Sequence, residues 1–354
     1  MVVKATKPMR RAKWALTVVT VVWVISCVSV RVGGEEVAGG GWKDTAVGVA
    51  GQVFLGAEGG VVFYALDTLA EPNQTVELTA RLQRADLVHD LAGVTVGYYV
   101  QEVRAGMAVT DEKGFARLKW TPRREGDYAF TVRVAEVGAG EDRGLMDLAG
   151  ARLLVACRGR EAEFAVVDLD HTVVDSSFFR VLLGGGAAMA DSAEVLRRVA
   201  RQYSLIYLTH RPDVMTQRSK SWLVRNGYPD GPLLASELRG ALGSSGEYKT
   251  ARLTELRRTH PNMRMGIGDK ISDALAYVDN GMTAYLIPQY EQKPAAMREM
   301  VAQLKGLGGR GRLQVVSGWR EIEAGVFQGK EFPAERFAWR LEQEAAQVER
   351  QQED

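Results

Sequence analysis

The sequence predicts a multidomain chain in which an all-β sandwich precedes an α/β unit built on a parallel sheet. Between Val61 and Val134, short alternating apolar runs are separated by turn sequences such as Asp111-Glu-Lys-Gly114. After Phe164, apolar runs alternate with helical patterns, which is typical of parallel sheets. With 354 residues, 46% of them hydrophobic, the chain is long enough to bury two cores. The predicted segments are a signal or anchor (1–26), a tether (27–47), the sandwich (48–158), the α/β unit (159–325) and a polar helix (326–354).

The first 26 residues have the form of a secretory signal. Met1 to Lys13 carries five basic residues and no acidic one, and Trp14 to Ile25 has no charge. The sequence Val24-Ile-Ser-Cys27 resembles the bacterial lipobox, whose cysteine becomes the acylated first residue of a lipoprotein. The alternative is an uncleaved anchor ending at Val30, which is short for a span of about 20 residues. Lipidation of Cys27 is the favoured prediction, and both alternatives place the protein in a bacterial cell envelope, outside the cytoplasm.

Composition narrows the classes of function. A formal net charge of +1 gives no basic field, which argues against nucleic acid as a principal partner. The two cysteines, Cys27 and Cys157, are too few for a disulfide framework. We expect Cys157 to be a buried apolar residue, and a Cys27–Cys157 bridge is the minor alternative.

The predicted sandwich has five strand-like runs and no reactive cluster. Its phrases around Ala92-Gly-Val-Thr-Val96 and Trp120-Thr-Pro-Arg-Arg-Glu-Gly-Asp-Tyr128 look like bacterial immunoglobulin-like repeats. The resemblance implies a spacing or adhesive role. The predicted strands are Val61 to Leu66, Thr75 to Leu82, Gly93 to Val100, Phe115 to Trp120 and Tyr128 to Val134.

The chemistry is predicted at the ends of three later strands. A buried run from Phe164 ends in Asp168 and Asp170, two carboxylates one residue apart. A second run ends in Thr209, and a third ends in Asp269 with Asp273 one helical turn later. Between them, Lys249 opens a helical pattern that runs to Leu256. Parallel strands bring their carboxyl ends to one edge of a sheet, where such folds bind ligands. Each residue alone is more often a turn former, a helix cap or a solvated side chain. Together they have the order and chemistry that phosphoryl transfer requires.

These segments resemble the four motifs of the haloacid dehalogenase superfamily of aspartate-nucleophile phosphatases. The stretches Thr209-His-Arg-Pro212, Tyr248-Lys-Thr250 and Gly266-Ile-Gly-Asp-Lys-Ile-Ser-Asp273 are similar to one branch of it. That branch comprises the lipin-type phosphatidate phosphatases and the C-terminal domain of membrane-associated phosphatidylinositol transfer proteins. The resemblance covers about residues 162 to 290 and implies a Rossmann-like α/β fold. Little sequence is left between the motifs, so we expect a minimal cap and an open site.

The resemblance also implies a role for each residue. Asp168 is the expected nucleophile and Asp170 the general acid and base. Thr209 and Lys249 are expected to bind the phosphoryl oxygens. Mg²⁺ is the expected cofactor, held by Asp168, the Asp170 carbonyl, Asp269 and Asp273, the last directly or through water.

Two positions depart from the family pattern. His171 follows the second aspartate, where the family usually has glycine, and we expect it to cap the local turn rather than to react. Asp269 stands where lipins commonly have asparagine, which is nearer the general superfamily pattern and weakens the phosphatidate assignment slightly.

The sequence thus favours a membrane-tethered, extracytoplasmic Mg²⁺ phosphatase for phosphomonoesters, with a phosphatidate-like lipid at the membrane surface as the leading substrate. One alternative is a broad exported acid phosphatase for soluble organophosphates. Another is a phospholipid-binding module without turnover, although such a module has no need of Asp170. The tail from Pro333 is predicted to be a polar helix that packs on the α/β unit, with binding of a partner as the less favoured alternative.

Overall fold

The described part of the chain contains two units, one made of β-strands alone and one of alternating strands and helices. The structure is a computed structural model that describes residues 57–87, 89–138, 143–175, 186–237, 244–307 and 309–353. The predicted signal, the tether and Cys27 lie outside these residues, as does the part of the cap prediction that falls on 176–185. Among the described helices, none has both the length and the apolar character needed to cross a membrane.

The first unit, called the β unit, has two sheets around a common core. Strands β1, β3 and β6 form an antiparallel sheet in the order β1-β3-β6, and the other five follow the order β2-β8-β7-β4-β5. Leu78 and Leu82 of the first sheet share a buried cluster with Tyr98, Phe130 and other side chains of the second. The strands are β1 (Val61–Leu66), β2 (Thr68–Ala70), β3 (Val76–Arg84), β4 (Thr95–Val100), β5 (Val103–Val109), β6 (Phe115–Trp120), β7 (Gly126–Glu136) and β8 (Ala151–Cys157).

A predicted turn of the β unit shows why these strands pair as they do. Asp111 accepts hydrogen bonds from the backbone N–H groups of Lys113 (2.8 Å) and Phe115 (3.0 Å), which fixes the chain reversal before β6. Gly114 has φ 72°, and a Cβ there would lie 2.2 Å from the carbonyl oxygen of Leu82. Only glycine fits this position, so the local sequence determines where β6 begins. At the end of the unit, Cys157 is buried, as predicted, and it is a free cysteine in the part of the chain that the structure describes.

The second unit, called the α/β unit, has a parallel sheet of six strands in the order β11-β10-β9-β12-β13-β14. This confirms the predicted parallel sheet. Its strands are β9 (Phe164–Val167), β10 (Ser204–Pro212), β11 (Leu233–Ser236), β12 (Met263–Gly268), β13 (Thr283–Leu286) and β14 (Leu313–Val315). Its helices are α1 (Ser192–Val199), α2 (Thr216–Arg225), α3 (Ser245–Thr259), α4 (Ile271–Asp279), α5 (Pro294–Lys305), α6 (Trp319–Gln328) and α7 (Ala334–Glu353).

Helices cover both faces of this sheet. Along β9, Phe164 and Val166 belong to one buried cluster, while Ala165 and Val167 belong to the other. Helices α3, α4, α5 and α7 contribute side chains to the first cluster, and α1, α2 and α6 contribute to the second. Because β9 is buried on both faces, its sequence is a continuous apolar run, and the first polar residue after it is Asp168.

The C-terminal segment forms one helix that packs on the α/β unit. In α7, Phe337, Leu341 and Ala345 are buried in the first cluster at helical spacing. Trp339, on another face of α7, is 65% exposed. The helix therefore covers one side of the sheet near α5 rather than extending freely.

Candidate active site

Strand register brings the predicted residues to one edge of the parallel sheet. Val167 of β9 pairs with Tyr207 on one side and with Ile267 on the other. Thr209 and Asp269 each follow these partners by two residues, and Asp168 directly follows Val167. The three residues therefore lie at the carboxyl ends of three adjacent strands, which is the edge where open α/β sheets bind ligands.

Asp168 is fixed by the backbone and almost removed from solvent. Its N–H donates to the carbonyl of Ile267 (2.9 Å), and the residue is 4% exposed. Burial raises the pKa of the Asp168 carboxyl, and the adjacent Lys249 ammonium offsets part of this shift. A buried carboxylate needs a partner of opposite charge to remain ionised. The Asp168 carboxyl therefore depends on neighbouring cations to stay ionised.

Lys249 provides one such cation. Helix α3 begins at Ser245 after a Ser244 cap whose hydroxyl accepts from the N–H of Glu247 (3.1 Å), and Lys249 follows in its first two turns. The Lys249 Nζ lies 2.8 Å from Asp168 Oδ1 and 2.6 Å from Asp273 Oδ2. Burial opposes the charge on Lys249, but the carboxylates outweigh it and hold the pKa well above its usual range. Lys249 therefore remains an ammonium in contact with the proposed nucleophile.

Helix α4 brings Asp273 to the site by packing unusually close to β12. A Cβ on Gly266 would lie 2.2 Å from the ring of Tyr277, and one on Gly268 would lie 3.2 Å from Asp273 Cβ. Glycine at both positions allows this approach. The carboxylate of Asp273 is fully buried, and its Oδ1 accepts from the Ser245 hydroxyl (2.9 Å).

Asp269 completes a cluster of three carboxylates. Oxygens of Asp168, Asp269 and Asp273 lie within 4.8 Å of one another, and all three residues are buried. Burial and the neighbouring Asp168 raise the pKa of Asp269 to about 8. Its Oδ1 is buried and has no hydrogen-bond partner among the described residues. Three buried carboxylates facing one another, one with an orphaned oxygen, fit a hard divalent cation such as Mg²⁺.

Asp170 has a different partner, which the sequence did not identify. Arg211 donates from Nη2 to Asp170 Oδ1 (2.6 Å) and from Nε to Oδ2 (3.0 Å), a bidentate pair. The same guanidinium donates to the Ser219 hydroxyl (3.0 Å), and the Arg211 side chain is 3% exposed. Its position after Thr209 in the Thr209-His-Arg-Pro212 run was a usable signal. Arg211 holds the predicted acid/base carboxylate in one orientation.

Thr209 is linked to the same group through the backbone. Its hydroxyl accepts from the N–H of Arg211 (3.2 Å), and the residue is 1% exposed. The pairing of β10 with β11 shifts register between Leu208 and Pro212, so Thr209 lies in an irregular part of the strand. The structure thus gathers Asp168, Lys249, Asp269 and Asp273 in one cluster and joins Asp170 to Thr209 through Arg211. The part of the metal prediction that concerns the Asp170 carbonyl stays a prediction.

His171 occupies a turn that favours glycine. Its φ is 54°, in the left-handed region, directly after Asp170. The N–H groups of Thr172 and Val173 donate back to the Leu169 carbonyl, which closes the turn. The usual glycine of the family at this position therefore has a conformational reason, and His171 adopts the same turn at some cost in strain.

A parallel α/β sheet with an acidic edge is compatible with a phosphatase-type domain, and one comparison with known proteins supports that class. Residues 165–287 match the family model of the LNS2 domain of PITM 1-3, which supports a phosphatase-type domain in this part of the chain. The matched stretch includes every predicted site residue from Asp168 to Asp273. It is less than half of the chain, and it leaves the β unit outside.

Other comparisons are more distant. No curated protein matches the sequence. Among solved structures, the Pnkp1/Rnl/Hen1 RNA repair complex is similar with a TM-score of 0.33, 14% identity and coverage of 38% of this chain and 45% of the other. The D00-D0 domain of intimin gives a TM-score of 0.20, 16% identity and coverage of 27% and 45%. The chain thus spans less than half the length of these two structures.

Proposed function

We propose that the protein is a membrane-tethered, extracytoplasmic Mg²⁺-dependent phosphatase of the haloacid dehalogenase type. Its favoured substrate is a phosphomonoester on a phosphatidate-like lipid. The observation that supports this most is the buried Asp168 at the end of the central strand, in contact with Lys249 and within 4.8 Å of two further carboxylates. A structural ion pair needs one cation for one carboxylate, whereas three carboxylates around one lysine leave excess negative charge for a metal ion.

The side chains divide the reaction between them. An oxygen of Asp168 bonds to phosphorus while the bond to the leaving oxygen breaks, and Asp170 gives that oxygen its proton. Asp170 then takes a proton from the water that attacks the aspartyl phosphate, which releases phosphate and restores Asp168. Arg211 orients Asp170 throughout, and Thr209 and Lys249 hold the phosphoryl oxygens. Mg²⁺, held by Asp168, Asp269, Asp273 and the Asp170 carbonyl, would neutralise the negative charge when bound.

The first test is phosphate release from phosphatidate vesicles and from nucleotide monophosphates, with and without Mg²⁺. We expect release to require Mg²⁺ and to be faster from the vesicles. Asp168→Asn should lower kcat on the order of a thousandfold, because an amide cannot form the covalent intermediate. Asp279→Asn is the matched control, since that carboxylate is exposed on α4 and pairs with Arg310.

Each outcome has a distinct meaning. Equal rates for Asp168→Asn and wild type would remove Asp168 from the nucleophile role. Faster release from soluble nucleotides would favour the broad acid phosphatase. Vesicle binding without any release would favour the lipid-binding module.

The membrane tether is a separate part of the proposal, and it depends on Cys27. Its support is the basic, then apolar, N-terminal sequence that ends in Val24-Ile-Ser-Cys27. We expect fatty-acid labelling of the protein in bacterial cells and loss of the label in Cys27→Ala. Cys157→Ala should keep the label, because Cys157 is buried in β8. Labelling that persists in Cys27→Ala would contradict this anchor.

A further inference from the structure

The segment that carries Thr209 and Arg211 continues directly into the contact between the two units. After Pro212 the chain forms a short 3-10 helix, Asp213–Met215, whose three residues are all buried. Val214 and Met215 share an apolar cluster with Val62 and Tyr64 of strand β1. The β unit therefore packs against the residues that immediately follow the segment with Thr209 and Arg211.

A buried polar contact accompanies this packing. Tyr64 is fully buried, and its hydroxyl interacts electrostatically with the carboxylate of Asp213, which is buried in the same contact. The same hydroxyl accepts from Arg81 of β3 (3.3 Å). Asp213 Oδ1 also accepts from the N–H of Val214 (2.9 Å), so the carboxylate is held from both units. A buried carboxylate with fixed partners has little freedom to move.

A second contact between the two units involves helix α2, which follows Arg211 in the chain. Arg211 donates to Ser219 of α2, and the next residue, Lys220, reaches into the β unit. Its Nζ lies 2.5 Å from Asp67 Oδ1 and donates to the carbonyls of Ala65 (3.0 Å) and Arg152 (2.8 Å). The segment from Thr209 to Ser219 therefore contacts the β unit at Asp213, and the next residue, Lys220, contacts it again.

We propose that Tyr64 of the β unit is a positioning residue for the phosphatase site, acting through Asp213 on the segment that holds Thr209 and Arg211. This inference rests on the proposed function. Tyr64 touches neither substrate nor reacting atoms. Its effect follows from geometry: the β10–β11 register shifts between Leu208 and Pro212, so strand pairing alone does not fix Thr209 and Arg211, and the contacts of the adjoining Asp213 add to those that do. Small displacements of such groups are costly, with about 10²-fold lost for a 1 Å error.

The experiment compares Tyr64→Phe with Tyr98→Phe. Both changes remove one buried hydroxyl from the β unit, but the Tyr98 hydroxyl donates to the Ala116 carbonyl (2.7 Å) inside the sandwich core. We measure kcat/KM with a soluble monoester in Mg²⁺, well below both melting temperatures, and the affinity for inorganic phosphate by calorimetry. We expect Tyr64→Phe to lower kcat/KM about tenfold and to weaken phosphate binding several-fold. Tyr98→Phe should stay within about twofold of wild type for both quantities.

Asp213→Asn supplies the same test from the α/β unit. It is isosteric and removes the charge that interacts with the Tyr64 hydroxyl, so it should shift both quantities in the same direction. The double variant Tyr64→Phe, Asp213→Asn should be little worse than Tyr64→Phe alone, because both changes act on the same contact.

The outcomes separate this inference from the proposed function. A wild type that hydrolyses monoesters while Tyr64→Phe and Asp213→Asn behave like Tyr98→Phe overturns the inference alone. A wild type without turnover overturns the proposed function. In that case weaker phosphate binding in Tyr64→Phe than in Tyr98→Phe still supports the positioning role, and equal binding overturns it.

Discussion

At the scale of single residues, the site is a cluster of buried charges in which, among the described residues, each carboxylate but one contacts a cationic side chain. Lys249 pairs with Asp168 and Asp273, and Arg211 pairs with Asp170. Asp269 is the exception, because its Oδ1 is buried without a partner among the described residues. A buried polar atom without a hydrogen-bond partner is common where a site is built for a ligand rather than for stability.

Replacement of Asp269 should therefore have opposite effects with and without metal. Without Mg²⁺, Asp269→Asn should raise the free energy of unfolding by about 1 kcal/mol, because an amide avoids the cost of either protonating the buried carboxyl or keeping it charged beside Asp168. With Mg²⁺, wild type should gain more stability than the variant, since binding to the folded state stabilises it. Thermal melts with EDTA and with MgCl₂ measure both effects.

The control for this prediction is Asp279→Asn, at the last residue of helix α4. That residue is exposed and should retain the full response to Mg²⁺. An Asp269→Asn protein that is less stable than wild type in EDTA, with an unchanged response to Mg²⁺, would show that Asp269 has a structural rather than a metal-binding role.

At the scale of elements, the sequence predicts buried strands better than exposed ones. β9, β10 and β12 were located from continuous apolar runs, and Val61–Leu66 and Phe115–Trp120 have the predicted bounds. Strands β2, β5 and β8 are not among the five predicted strands of the β unit. The sequence of β5, VRAGMAV, contains a glycine and small residues and lies at a sheet edge with mostly exposed side chains, and β2 has only three residues. β8 is largely buried, so burial alone does not make a strand predictable. Strand propensity is weak where little apolar surface is buried.

Helix starts and close approaches were harder to predict. The sequence predicts that Lys249 opens its helix, whereas α3 begins four residues earlier, at Ser245. The capping sequence from Ser244 to Glu247 indicates this earlier start. Strand ends alone predicted that Asp168, Thr209 and Asp269 converge. The pairing of Arg211 with Asp170 is not predictable in this way, because it depends on the register shift between β10 and β11 and on tertiary contacts of the guanidinium.

At the scale of the whole molecule, the two units share buried polar contacts and do not simply follow one another along the chain. Lys220 and Asp67 are 153 positions apart, so no local pattern predicts their contact. Asp67 also accepts from the N–H groups of Leu154 (2.7 Å) and Leu233 (2.9 Å), one from each unit. Burial raises the pKa of the Asp67 carboxyl and lowers that of the Lys220 ammonium, so each charge depends on the other.

Removal of the lysine should accordingly destabilise both units together. Lys220→Met leaves Asp67 buried without its cation, and we expect a loss of about 3–5 kcal/mol in the free energy of unfolding. The control is Lys305→Met, which breaks an exposed pair with Glu342 and should cost less than about 1 kcal/mol. Denaturant unfolding followed by tryptophan fluorescence and circular dichroism measures the change.

The effect of pH identifies Asp67 as the cause of this loss. A carboxyl whose pKa is raised by folding contributes stability that is fully present below its unfolded pKa and is lost as pH rises through its folded pKa. Without Lys220 the pKa of Asp67 should rise further, so the deficit of Lys220→Met should shrink as pH falls from about 8 to about 5. A deficit that is the same across this range would mean that the lysine stabilises the molecule through its packing and its bonds to the Ala65 and Arg152 carbonyls, and not by neutralising Asp67.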